Sequence, residues 1–154
     1  MLHLISSEEK KYIEISPESV KSCEFFRDIL CTGRSETRQI PFENIKICIL
    51  KLLVEFLEHY RDEPMNAIRK VKKVKFMTNH FNLLLLMLKP LSGPLSSIIQ
   101  PWYFTFVTTN EDKLIDLLKA SDFINYKPLY ELICATIASK NRDEPFEKNY
   151  IRIL

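Results

Sequence analysis

Apolar residues recur along this chain with two different periods, and the changes of period mark out its elements. LHLI and KKYIEI flank the polar run SSEEK. Two short runs of strand-forming residues around such a turn predict a β-hairpin at the N-terminus. After Ser16 and Pro17 the period lengthens, and Val20, Phe25, Phe26, Ile29 and Leu30 are expected to share a helical face, with Gly33 as the stop. RQIPF returns as a short strand, which Pro41 confines to an edge because it cannot donate to a ladder on both sides. Asn44 is the expected cap of the strongest helix, in which Ile49, Leu52, Leu53, Phe56, Leu57 and Tyr60 follow i, i+3, i+4, i+7, i+8, i+11. Burying six such side chains contributes roughly 1.5–3 kcal/mol each before entropy is subtracted, so this helix belongs to the core.

Beyond Trp102, Thr109 or Asn110 is expected to cap a further helix, with Glu111 and Asp112 in its first turn against the helix dipole. Leu114, Leu117, Leu118 and Ser121 form its stripe, and residues 122–127 turn the chain. Pro128 then suits the start of a following helix, where its missing N–H costs nothing, and Leu129, Leu132, Ile133, Thr136 and Ile137 line that helix. The last segment, DEPFEKNYIRIL, again opens on acids and proline and ends apolar. The fold class is α/β (α+β), a small sheet flanked by helices. Three successive C-terminal helices carry more apolar surface than such a sheet covers, which points to a partner.

Residues 65–100 break the pattern. They hold six of the 22 Lys and Arg and none of the 20 acids, leaving 16 bases against 20 acids elsewhere. A basic, acid-free segment thus interrupts an acidic body. Its apolar run, residues 83–88, ends at Lys89 and Pro90, far short of the ~20 residues that span a bilayer. The basic flank would suit an anionic surface or a phosphate backbone, but aromatic residues do not interleave it as single-strand binding requires. A loop with a buried apolar turn is the simpler reading, and neither nucleic acid nor membrane is an expected partner.

With 46% apolar and 27% charged residues, the chain can bury its own core and is expected to form one compact domain. Cys23, Cys31, Cys48 and Cys134 stand far apart, without a CxxC pair or a secretory leader. They read as reduced thiols of the cytoplasm and nucleus rather than as disulfides or zinc ligands. His3, His59 and His80 have no metal-ligand spacing, and two glycines exclude a Gly-rich phosphate cradle. No catalytic residue, metal site or cofactor is expected, and the chain is not expected to be an enzyme.

Three blocks, LISSEEKKYIEISPESV, IPFENIKICILKLLVEFLEHYRDEP and PWYFTFVTTNEDKLIDLLKASDFINYKPLYELICATIAS, together resemble the S-phase kinase-associated protein 1 family, the adaptors of SCF ubiquitin ligases. The blocks stand in the family's order and cover most of residues 1–64 and 101–145. The resemblance implies a BTB/POZ core from residues 1–64 and 101–127, with a strand after Trp102, and F-box-binding helices from residues 128–154. It implies a bridge between a cullin scaffold and F-box substrate receptors in ubiquitin-dependent degradation. Asp122 and Phe123 match the family's Asn-Tyr pair at the cullin surface, and Asn44 and Ile45 match a second part of it. Ile115, Tyr130, Cys134, Ile137, Phe146 and Tyr150 fall on F-box-facing positions. Tyr130, Cys134 and Ile137 are spaced i, i+4, i+7, as helix-in-groove recognition requires.

The chain also departs from the family. A carboxylate at 122 can accept but not donate where the family has an amide. Members usually continue into one more helix ending in a Trp-Cys pair, so the F-box interface is expected to be trimmed. Their loop between the HYRDEP helix and the Trp strand is acidic, whereas residues 65–100 are basic. Removing residues from 71 or 74 to 100 leaves the family's usual spacing, as a translated intron would, and a genuine lineage-specific insert is the rival. The competing reading is an elongin-C-like or other self-associating BTB module that never meets an F-box, and a homodimer of the free chain stays open under either.

Overall fold

Leu2 and Leu4 are fully buried while His3 and Ile5, alternating with them, are only partly covered, the alternation of a strand with one face on a core. In the computed structural model, which describes residues 2–6, 8–31, 38–68 and 94–140, this strand, β1 (Leu2–Ser6), is the middle of a three-stranded sheet. β2 (Lys11–Ile15) pairs with it antiparallel, Leu4 opposite Ile13, and closes the expected hairpin through a turn in which Lys10 has φ 52°. β3 (Arg38–Phe42) pairs parallel on the other side, Leu4 opposite Ile40. The order β2-β1-β3 puts Pro41 on an edge strand, where its lack of a donor is tolerated.

The chain divides into two compact units, one of residues 1–64 with 116–129, the other of residues 65–115 with 130–154. The division runs through two of the C-terminal helices.

In the first unit the sheet's inner face is Leu2, Leu4, Ile15, Ile40 and Phe42. Ser6 lies on the same buried row, and its hydroxyl donates to the Ile45 carbonyl at 2.7 Å, which removes the cost of a polar group there. α1 (Glu24–Cys31) begins later than Ser16 and Pro17 suggest. Val20 is buried in a turn built from i→i+3 bonds, Ser19 N–H to Ser16 O and Cys23 N–H to Val20 O, and its i, i+5 spacing from Phe25 breaks the helical stripe. Gly33 lies outside the described residues.

α2 (Ile47–Asp62) packs against β1 and β2. Its buried face is Ile49, Leu50, Leu53, Val54, Phe56 and Leu57, broader than the predicted stripe, with Leu52 and Tyr60 at its margins. Asn44 does not cap it. The cap position is Lys46, and the helix's first free amide, Ile47 N–H, donates to Glu9 Oε1 at 3.2 Å. Asn44 instead takes φ 58° in the turn out of β3, a left-handed conformation that Asn tolerates better than most residues.

In the second unit α3 (Pro101–Thr109) corrects the strand expected after Trp102. Gln100 is extended and Pro101 occupies the first helical turn, where proline is pre-organised for a helix. Tyr103, Phe106 and Val107 are buried at i, i+3, i+4, and the Trp102 ring stacks on Phe106 at 5.1 Å. The β propensity of PWYFTFVTT is overridden by this helical burial. Asn110 turns backward rather than forward: its side-chain amide donates to the Phe106 carbonyl at 2.9 Å and closes α3. A single 3-10 turn, Glu111–Lys113, leads into α4 (Leu114–Phe123), and α5 (Lys127–Lys140) follows. Lys140 pairs with Glu111.

Residues 69–93, including the apolar run, and 141–154 lie outside the described residues. Among those described, no helix is long and apolar enough to cross a membrane.

Candidate partner-binding surfaces

The end of α4 shows why the helix stops at the residues it presents. Asn125 has φ 50°, and around it the Tyr126 N–H donates to the Ser121 carbonyl at 2.8 Å while the Asn125 N–H donates to the Asp122 carbonyl at 2.9 Å. These nested bonds form a Schellman motif, which satisfies carbonyls that a helix end otherwise leaves open. Tyr126, immediately beyond, is 2% exposed. Its ring meets Phe56 at 6.1 Å and Tyr60 at 5.9 Å, both edge-on, and its hydroxyl hydrogen-bonds to Ser22 Oγ at 2.9 Å. The cap and this anchor fix where α4 terminates.

Phe123, the last residue of α4, is 51% exposed. Its ring lies 5.2 Å from that of Phe42 and 5.7 Å from that of Phe25. Phe42 ends β3 and leads into the Asn44 turn, so one aromatic contact brings the end of α4 to the strand end that carries Asn44 and Ile45. Asn44 and Asp122 are exposed. Ile45 is only 8% exposed and its carbonyl is taken by Ser6, so its side chain supports the turn from beneath. Phe25 and Phe42 were not candidate site residues in the sequence. Phe42 precedes Asn44 by two positions, but nothing in the local pattern of α1 points Phe25 at this ring.

The second candidate surface is on α5. Leu129, Leu132 and Ile133 are fully buried, and Thr136 spends its hydroxyl on the Leu132 carbonyl at 2.8 Å. Tyr130 and Ile137 keep partial exposure, as does Ile115 on α4. Cys134, between Tyr130 and Ile137 in the stripe, is 1% exposed. Burial pushes its thiol up to about 12, against a smaller lowering by a hydrogen bond with the Tyr130 side chain, so it is a neutral, apolar filler at neutral pH. Phe146 and Tyr150 lie outside the described residues. Among the described residues no three His, Cys, Asp or Glu side chains are grouped as a metal ion would need.

No family model matches the chain. It is 24% identical over 133 residues to the S-phase kinase-associated protein 1 homolog of Tetrahymena thermophila, a match covering 85% of this chain and 68% of that protein. It is 20% identical over 103 residues to the suppressor of kinetochore protein 1 of Schizosaccharomyces pombe, covering 67% of this chain and 53% of that one. The chain is similar to S-phase kinase-associated protein 1 homologues. The likeness is of low identity, and it spans only about half of the second relative.

Proposed function

We propose that this chain is a non-catalytic adaptor of an SCF-type ubiquitin ligase, in the cytoplasm and nucleus, that joins a cullin scaffold to F-box substrate receptors. The observation that carries the reading is Phe123: a large aromatic, half exposed, seated on Phe25 and Phe42 at the end of a helix whose stopping point is fixed by main-chain hydrogen bonds. Such a ring gains little for the free protein by standing in water. On docking it offers apolar area at low entropic cost, because its base already limits its motion. Asp122 beside it and Asn44 supply the polar rim. The similarity to S-phase kinase-associated protein 1 homologues supports the same role. Tyr130 and Ile137 are the part of the α5 stripe with surface to offer an F-box helix.

The test is a pair of calorimetric titrations, of a cullin N-terminal domain and of an F-box segment, into the full chain. Phe123→Ala is expected to weaken the cullin by about 30-fold or more, as loss of a hot-spot aromatic does, and to leave the F-box segment unaffected. Tyr130→Ala combined with Ile137→Ala is expected to do the reverse. Reciprocal loss also shows that each variant is folded. Binding of neither partner by the folded wild-type chain sinks the proposal and leaves self-association through a BTB-like core as the leading reading.

A further inference from the structure

A second feature of the first unit is independent of the adaptor surfaces. Ser16 follows β2 and precedes Pro17, and of the chain's eight prolines this is the single one with Ser or Thr before it. The Ser16 side chain is half-buried. Its Oγ lies 3.0 Å from Ser19 Oγ and accepts the Ser19 N–H at 3.3 Å. Ser19 is fully buried. Its hydroxyl oxygen accepts from Arg61 Nη1 at 2.9 Å and shares a hydrogen bond with Ser16 Oγ in which either hydroxyl can donate. Arg61 is itself braced by two bonds to Asp62, from Nε at 2.7 Å and from Nη2 at 2.8 Å.

Ser16 Oγ therefore has one fixed donor, the Ser19 N–H, and stands one hydroxyl away from the Arg61 guanidinium. The arrangement suits an acceptor carrying negative charge. We propose that Ser16 is a phosphorylation site for a proline-directed protein kinase, and that Arg61 receives the phosphoryl group. In the transfer, Ser16 Oγ attacks the γ-phosphorus of ATP, the bond from that phosphorus to the β,γ-bridging oxygen breaks, the hydroxyl proton passes to the kinase's base and ADP leaves. Pro17 supplies what such kinases read, a fixed φ and no N–H at the position after the acceptor. The product carries close to two negative charges and three strong acceptor oxygens at the start of a turn whose Ser19 N–H already bonds to Ser16 Oγ. Arg61 can exchange the neutral Ser19 hydroxyl for a charged acceptor, the stronger of the two bonds. Glu18 and Asp62 oppose this charge, but Glu18 is held by Lys21 and Asp62 by Arg61. The modification would thus fasten the turn between β2 and α1 to the last turn of α2.

The experiment is treatment of the full chain with a cyclin-dependent-type kinase and MgATP, read by intact mass and peptide mapping, followed by thermal unfolding. One phosphoryl group on Ser16, absent from Ser16→Ala, is expected, together with a higher melting temperature for the phosphorylated wild type. In Arg61→Gln the phosphoryl group should still be incorporated but the increment in melting temperature should disappear. Failure of the folded chain to be modified at Ser16 overturns the proposal. An increment of equal size in Arg61→Gln overturns the role of Arg61.

Discussion

The rings of Phe42 and Phe123 are 5.2 Å apart, yet one is fully buried and the other half exposed. The pair is a base and a projection. Phe42→Ala is expected to destabilise the fold by about 3–5 kcal/mol, the usual cost of emptying a buried aromatic site. Phe123→Ala should cost no more than about 1.5 kcal/mol, the range of an aromatic pair contact. Urea unfolding of both variants checks this, and equal costs would mean that Phe123 is a core residue rather than a docking side chain.

The Schellman motif at the end of α4 depends on a left-handed residue at position 125. Asn125→Gly should leave stability within about 0.5 kcal/mol of wild type or raise it, whereas Asn125→Val should lower it by about 1–2 kcal/mol, because a β-branched side chain collides with its own backbone at positive φ. Denaturant midpoints of the two variants give the comparison. A tolerated valine would show that α4 can end elsewhere.

Glu9 ties the hairpin turn to the start of α2. Its carboxyl is held below the ordinary glutamate range, chiefly by the Ile47 N–H and further by Lys11. A depressed folded-state value stabilises the native chain above the unfolded value and is lost as pH falls through the folded one. Stability should therefore begin to fall below about pH 4.5 partly through this group, and Glu9→Gln should flatten the profile there. Asp62, lowered by Arg61, contributes to the same acid limb. Melting curves of Glu9→Gln and Asp62→Asn across that range separate the two, and an unchanged profile in Glu9→Gln would remove the proposed tie.

Asn66 and Gln100 meet across the basic segment, the Asn66 N–H donating to Gln100 Oε1 at 3.0 Å. Chain ends this close need only a short bridge, and loop closure costs little when the loop is shortened. Replacing residues 69–93 by a few Gly and Ser residues is expected to leave a protein that still unfolds cooperatively. Loss of cooperative unfolding would make the segment part of the core. Sequencing of the mature transcript separately decides whether those codons are translated.

Elements with an unmixed period were legible in the sequence. The hairpin, β3 at an edge and the long α2 follow from alternation, proline and an i, i+3, i+4 stripe, each a local signal. The α3 segment was not, because Tyr103, Phe104, Phe106 and Val107 favour a strand by propensity and a helix only once Tyr103, Phe106 and Val107 have a common core to enter. Capping was the least legible. Asn44 and Asn110 have the right chemistry for N-caps, yet one serves a left-handed turn and the other closes the preceding helix. The α2 amide expected to need Asn44 is met by Glu9, 38 positions away. Of the candidate surfaces, the exposure of Phe123 could be foreseen from its place at a helix end, but its base of Phe25 and Phe42 could not, since it is assembled from elements distant in the chain.

The hydrogen bonds that end α4 run entirely through the main chain, from Asn125 and Tyr126 back to Asp122 and Ser121. The side chains of residues 122 and 123 take no part in them. The backbone thus holds these two positions as an interchangeable pair on a fixed mount: their identities can change without moving the mount. In the proposed adaptor, an acid at 122 and a phenyl ring at 123 would re-tune what is recognised while the place of recognition stayed where it was, so partner choice could diverge at two codons.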